Sequence, residues 1–306
     1  MSDTGSNQPD PSMIGGVPQA PFVNLPNPSV IFARRATRLT ALAAAASQLG
    51  GYLGFLASIA QAQADLLPGL PEPELLSAAT VARAGQFAMP PLDRGVFKAD
   101  TTLRETCARL FGALAAAPRP ESAEVALARV SGADEPVLDG MIGNVLADSI
   151  PFEALAEHVY VAAALQIHFT RLAACLNGAA LVPVGVGACP VCGGPPAVSV
   201  IVGWQGAEGA RYASCALCST LWNEVRVKCL ACGSTKGVGY QEVDGQSGAI
   251  KAETCDECGS YIKILHQHKD VMLDPIADDV GSLGLDLMLR ESTYRRAGVN
   301  PFLIGY

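Results

Sequence analysis

Charged side chains are scarce in this chain. Asp, Glu, Lys and Arg make up 16% of its 306 residues, and aromatic residues only 6%. Positive charge is the scarcer sign, with 21 Lys and Arg against 29 Asp and Glu and a net charge of −8. That balance disfavours nucleic acid and anionic membrane surfaces as principal partners. No Gly-rich phosphate loop, nucleophile elbow or His-Glu metalloprotease motif occurs, so the chain offers no readable catalytic fingerprint and is not expected to be an enzyme. What it has in quantity is apolar residues, 50% of the total. At this length they can bury a substantial core, which points to a globular protein of about two domains.

The most informative stretch runs from Cys189 to Cys258. It holds eight of the ten cysteines, in four Cys-x-x-Cys pairs: Cys189/Cys192, Cys215/Cys218, Cys229/Cys232 and Cys255/Cys258. A shift of 40 residues places the first two pairs on the last two, so each half reads C-x2-C-x22-C-x2-C. A repeat of this kind is one structural module used twice. Two thiolates separated by two residues can face one ion from a tight turn, and a hairpin that returns a second pair completes a tetrahedral shell. The spacing therefore predicts two four-cysteine sites and two metal ions per chain. Gly193, Gly233 and Gly259 follow three of the four pairs and allow the positive φ such turns need; Ser219 is the exception.

Disulfides are the simplest rival reading, but adjacent Cys-x-x-Cys pairs suit metal better in a reducing compartment. A thioredoxin-type motif needs a βαβ setting that the sequence lacks. A zinc ribbon for nucleic acid remains as an alternative, although 187–268 carries six basic and seven acidic residues and so lacks a basic footprint. The cysteine usage points to the cytosol. Cys107 and Cys175 fall in apolar helical patterns and read as buried free thiols.

In chain order, 1–29 is Pro-rich and reads as a disordered tail. Arg34, Arg35 and Arg38 precede an uncharged run from Leu39 to Ala64 and together imitate an export signal. Ser47, Gln48, Gly50 and Gly51 interrupt the run, and Ala supplies much of its apolarity, so two core helices are predicted instead, 30–46 and 50–67, with no stable membrane insertion. The three arginines read as a solvated face. Asp100 caps a helix to Ala117, with shorter helices at 121–130 and 135–148. A long helix follows from Pro151 to Asn177, with Leu155, Val159, Ala163, Phe169 and Leu172 on its buried side and with His158 and His168 in structural roles.

The cysteine modules show strand character at 197–204, 210–214 and 221–227, and again at 238–243, 249–254 and 261–267, with a turn at Asp244-Gly245. Trp222 reads as a core anchor. Lys251, Glu253, Tyr261, His266 and His268 are the candidates for surface contacts, the two histidines as exposed strand residues. Helix returns after Val271, and Asn300-Pro301-Phe302-Leu303 reads as an anchored apolar turn. The fold class is thus α+β, an N-terminal all-helical domain (30–180), two tandem four-cysteine modules (181–227 and 228–270) and a C-terminal helix (271–306) that packs back on the helical domain.

These residues carry a resemblance. Cys189-Pro-Val-Cys192-Gly193, Arg211-Tyr212, Trp222, Val225-Arg-Val-Lys-Cys229, Lys251-Ala-Glu-Thr-Cys255, Tyr261-Ile-Lys-Ile264, Ala277-Asp-Asp279 with Leu285-Asp286, and Asn300-Pro-Phe-Leu303 together resemble the FdhE family of formate dehydrogenase accessory proteins. Arg34-Arg35, Arg38-Leu39, Tyr52-Leu53 and Ile59-Ala-Gln-Ala-Gln63 look similar too. The resemblance implies rubredoxin-like modules and a cytoplasmic, non-enzymatic, chaperone-like helper. Such helpers bind the catalytic subunit of a respiratory formate dehydrogenase before its twin-arginine export, and they are associated with iron. A rubredoxin-like electron carrier is the alternative of a different class. Four-thiolate sites accept iron and zinc alike, so the residues themselves leave the metal open.

Overall fold

The structure, a computed structural model, describes residues 20–46, 48–243, 245 and 247–303. Most of the tail read as disordered lies outside the described residues. Its end does not: Val23–Asn24 form strand β1, and Asn27 caps helix α1 (Pro28–Ala45) by accepting from the Ser29 N–H. Pro28 at the first helical position has no N–H to leave unsatisfied. Helix α2 (Gly50–Leu66) follows the predicted break and lies along α1.

Helix α3 (Ala78–Gln86) has no counterpart in the sequence reading, because its Ala-rich stretch shows no apolar stripe; only the Ser77 cap announces it. Helix α4 (Thr101–Leu114) starts at Asp100 as expected and buries Leu103, Cys107, Leu110 and Leu114. Helices α5 (Glu121–Ser131) and α6 (Glu135–Leu146) follow.

Helix α7 (Leu155–Ala174) is the axis of the domain. One buried side was expected, but every residue from Glu157 to Ala173 is buried, as in a helix covered all round. His158 is bonded inside the domain, to the Ala154 carbonyl and to Asn144. His168 is fully buried beside Asp100, and burial lowers its pKa.

Each four-cysteine module is a three-stranded antiparallel meander. The first comprises β2 (Pro196–Ile201), β3 (Arg211–Cys215) and β4 (Leu221–Glu224). The second comprises β5 (Val238–Gln241), β6 (Ile250–Cys255) and β7 (Ser260–His266). The 40-residue shift of the cysteines thus carries over to the strands.

The two meanders are fused into one sheet, of order β1-β4-β3-β2-β7-β6-β5, by parallel pairing of β2 with β7 (Ser199 opposite Ile264). One face of the first meander, through Ala197, Ala213 and Trp222, belongs to the same apolar core as the helices. The other face packs Val198, Val200, Tyr212, Leu265 and Leu273 into a second core. The segment 181–187 runs close to the second module: at Gly187 (φ +60°) a Cβ would collide with the Leu230 carbonyl.

The C-terminal part holds two short helices rather than one, α8 (Ala277–Gly281) and α9 (Leu283–Arg290), and a last strand β8 (Arg295–Arg296) beside β7. Helix α8 packs on α1. Phe302 and Leu303 are buried, and Tyr52 donates to the Phe302 carbonyl at 2.7 Å.

The arginines expected on a solvated face hold this return in place. Arg35 is 2% exposed and bonds Asp274; Arg38 pairs with Asp278 and Asp270, and only Arg34 is exposed. Asp274 lies 239 residues beyond Arg35 and Asp278 lies 240 beyond Arg38, which is why local patterning misassigned these arginines. No helix among the described residues is long and apolar enough to cross a membrane.

Candidate metal centres

The fold gathers the eight cysteines into two clusters, Cys189, Cys192, Cys215 and Cys218, and Cys229, Cys232, Cys255 and Cys258. Within each, the sulfurs all lie within 4.8 Å of one another. Cross-pair separations are 3.5 Å (Cys189–Cys218) and 3.4 Å (Cys192–Cys215) in the first, and 3.7 Å (Cys229–Cys258) and 3.8 Å (Cys232–Cys255) in the second. Four sulfurs bound at about 2.3 Å to one ion in a tetrahedron stand about 3.8 Å apart. A disulfide would require about 2.05 Å, and none of these cysteines is disulfide-bonded. The donor set therefore fits one tetrahedral ion in each cluster, with no position left open.

Local backbone geometry produces these clusters. In the first turn of each module the glycine after the pair donates its N–H to the first cysteine's carbonyl, Gly193 to Cys189 at 2.8 Å and Gly233 to Cys229 at 2.9 Å; both adopt positive φ. Gly259 does the same towards Cys255. Ser219 takes the same left-handed conformation, φ +58°, without being glycine, and its hydroxyl lies 3.1 Å from that of Thr170 on α7. The turn also points N–H groups at sulfur, Leu217 to Cys215 and Ala231 to Cys229, both at 3.4 Å.

Such donors favour thiolate over thiol. Within the first cluster the neighbouring thiols divide the effect: hydrogen bonds from Cys189, and then from Cys192 and Cys218, hold Cys215 well below the usual thiol range, while burial and then the bonds to Cys192, Cys215 and Cys218 push Cys189 well above it. At Cys229 burial pulls upward, but the N–H groups of Cys232 and Ala231 and the Ser260 hydroxyl outweigh it and bring the thiol down to about 7.

Three kinds of supporting residue escaped the sequence reading. Thr220 and Ser260, two residues after the last cysteine of each module and themselves 40 apart, place hydroxyls 3.2 Å from Cys218 and 2.9 Å from Cys258. The repeat itself could have revealed them, as a hydroxyl residue at the same offset in both halves. Gln166 on α7 donates to the Ala216 carbonyl inside the second turn of the first cluster at 2.8 Å, and its own carbonyl accepts from Gln63 and Arg35. A buried polar chain thus runs from Asp274 through Arg35 and Gln166 to the first cluster. Gln166→Met is expected to cost about 1–3 kcal/mol, because buried groups lose their partners; an unchanged denaturation midpoint would show that the chain is not needed. Arg211 on β3 is the third, fully buried against Glu253 at 2.6 Å.

Of the proposed surface contacts, Glu253 (3% exposed) and Tyr261 (5%) are buried, which removes them as contact residues. Glu253 is consumed by Arg211, and Tyr261 by Asp286. Lys251 is half-buried and pairs with Glu242. His266 is half-buried and stacks edge-on against the exposed His268; burial, followed by the positive neighbours His268 and Lys269, lowers its pKa to about 4. Cys175, read as buried, is exposed at the end of α7, whereas Cys107 is buried, which pushes its thiol up to about 12.

A helical domain carrying a doubled four-cysteine sheet defines a class of metal-module protein, and the comparisons narrow it. FdhE profiles match in three consecutive parts: the N-terminal region over 20–186, the central domain over 188–226 and the C-terminal domain over 227–303. A protein FdhE homolog of Rhizobium meliloti (strain 1021) is 54% identical over 301 residues, covering 98% of each chain. Protein FdhE of Escherichia coli O9:H4 (strain HS) is 36% identical over 292 residues, 94% of this chain and 91% of that one. The crystal structure of the FdhE protein from Pseudomonas aeruginosa superposes with a TM-score of 0.81 at 29% identity, covering 94% of this chain and 99% of that one. The chain belongs to the FdhE family.

Proposed function

We propose that this chain is a cytoplasmic, non-catalytic maturation factor. In this reading it binds the catalytic subunit of a respiratory formate dehydrogenase before twin-arginine export, and that enzyme needs it to become active. Cys189, Cys192, Cys215 and Cys218 hold one ion, and Cys229, Cys232, Cys255 and Cys258 a second, with iron the leading assignment and zinc the alternative. The helical domain, the two modules and the C-terminal helices act as the units 30–180, 181–227, 228–270 and 271–306. The observation that carries the reading is the complete four-thiolate set of each cluster, present in a member of the FdhE family. A filled shell suits a scaffold or an electron store rather than a Lewis acid, which needs an open position.

The test is genetic and biochemical. Cells lacking the chain should still make the formate dehydrogenase subunits but show no formate oxidation, and the tagged chain should capture the catalytic subunit under anaerobic conditions. Full activity without the chain, or no capture, would overturn the proposal.

A second reading, a rubredoxin-like electron carrier, draws on the solvent exposure of Cys232 and Cys258, which would let an electron reach the second centre. An absorption spectrum of protein purified without oxygen separates the two: a colourless zinc protein cannot carry electrons.

A further inference from the structure

The duplication supplies the same ligand spacing twice, yet the two clusters have different surroundings. In the first, Cys189, Cys192 and Cys218 are 0% exposed and Cys215 2%. The helical domain closes over both of its turns. Leu92 donates its N–H to the Val191 carbonyl at 2.9 Å and Arg94 to that of Cys192 at 3.2 Å, while Pro90 lies against Gly193. Gln166 and Thr170 of α7 secure the other turn at Ala216 and Ser219. Two cavities have Cys215 in their walls, but they leave it buried.

In the second cluster Cys229 and Cys255 are buried, while Cys232 and Cys258 are exposed, as is Ala231 between the first pair. Among the described residues, no helix of the N-terminal domain supplies this cluster with a bond like those of Gln166 or Thr170. The bracing comes from the C-terminal segment, where Arg295 donates to the Gly259 carbonyl at 2.8 Å and Tyr294 to Asp256. These bonds hold the edge of the turn and leave Cys258 exposed.

We infer that the two centres differ in kind: the first holds a locked ion and the second an exchangeable one, open on its Cys232–Cys258 side to small ligands with soft nitrogen or sulfur donors. The inference rests on the reading that both clusters bind metal. Exchange at a filled tetrahedral centre requires an incoming donor to reach the ion. At the second cluster that approach is open: new donor–metal bonds form as those to Cys232 and Cys258 break, the released thiolates take protons from water, and no oxidation state changes. At the first cluster the same step needs the contact between helices and sheet to open first, and local opening of a well-packed element is rare.

The full chain loaded with two zinc ions tests this, since four-cysteine sites accept zinc. Excess 4-(2-pyridylazo)resorcinol should extract the zinc in two phases of one ion each, separated in rate by about tenfold or more, as expected when one path needs local opening. Iodoacetamide present during extraction should label Cys232 and Cys258 in the fast phase, and Cys189, Cys192, Cys215 and Cys218 only in the slow one. The double variant Cys232→Ser/Cys258→Ser should hold one ion and show only the slow phase. Two ions leaving at one rate, or a fast phase that persists in the variant, would overturn this inference alone. A parent chain that takes up fewer than two ions would overturn the metal reading together with it.

Discussion

Removal of both ions from the reduced protein is expected to unfold the stretch after Leu181 and to leave most of the helical signal in place. The second module packs little apolar surface of its own. Leu230 and Ile262 reach the main core and Ala249 and Leu265 the second one; the rest is a small cluster of Ala252 and Tyr261 with Leu285 and Leu289 of α9, too small a core to stand alone. Four-cysteine binding supplies folding free energy on the order of 10 kcal/mol per ion, far more than that cluster can replace. The first module should respond less, because Val191, Ala197, Ala213 and Trp222 belong to the core of the helical domain and would keep part of their burial. Limited proteolysis with and without chelator reads the difference. New cuts should appear first in 228–270, then in 188–226, and last in α1, α2 and α7, while far-UV circular dichroism loses strand and keeps helix. An identical cleavage pattern in both conditions would mean that the metal does not support the fold.

That ordering depends on features of unequal legibility in the sequence. The cysteine spacing specifies both clusters, because a tetrahedral ion imposes a local geometry that only a tight turn satisfies. The 40-residue shift specifies the meanders for the same reason. The parallel joint between β2 and β7 is different. Each strand reads as an ordinary alternating run, and nothing within six residues encodes which edge meets which. Buried charge is harder still. Arg35, Arg38, Arg211 and Lys263 look like solvated positions until Asp274, Asp278, Glu253 and Asp279 are brought to them by the fold. Glu253 and Tyr261 were placed on the surface for a related reason: alternation shows that a strand has two faces, but not whether something covers the outer one. Here Arg211 covers Glu253, and the ion pairs of Asp286 with Lys263 and Arg296 surround Tyr261.

Arg211→Met is expected to be among the most damaging single changes outside the cysteines. Arg211 sits on β3 and Glu253 on β6, strands of different modules that are not neighbours in the sheet. Their side chains are 0% and 2% exposed and meet at 2.6 Å. The same guanidinium donates to the Lys228 carbonyl at 2.8 Å, one residue before Cys229, the first cysteine of the second cluster, and Tyr240 donates to the other Glu253 oxygen at 3.3 Å. Burial already raises the pKa of Glu253, with Arg211 opposing it. Without the arginine the carboxylate stays buried and uncompensated, which costs about 3–5 kcal/mol. Two further measurements identify the cause. Adding Glu253→Gln should recover part of the loss, because a neutral amide costs less to bury than an unpaired charge. Lowering the pH should also narrow the gap between variant and parent: with its folded pKa above its unfolded one, the lone Glu253 takes up a proton on folding, and that contribution grows as the pH falls towards the unfolded value of about 4.3. The variant should still bind two ions per chain. A loss below about 1 kcal/mol, or a double variant no more stable than Arg211→Met alone, would show that this pair does not join the two modules, since a buried pair broken on one side costs several times more.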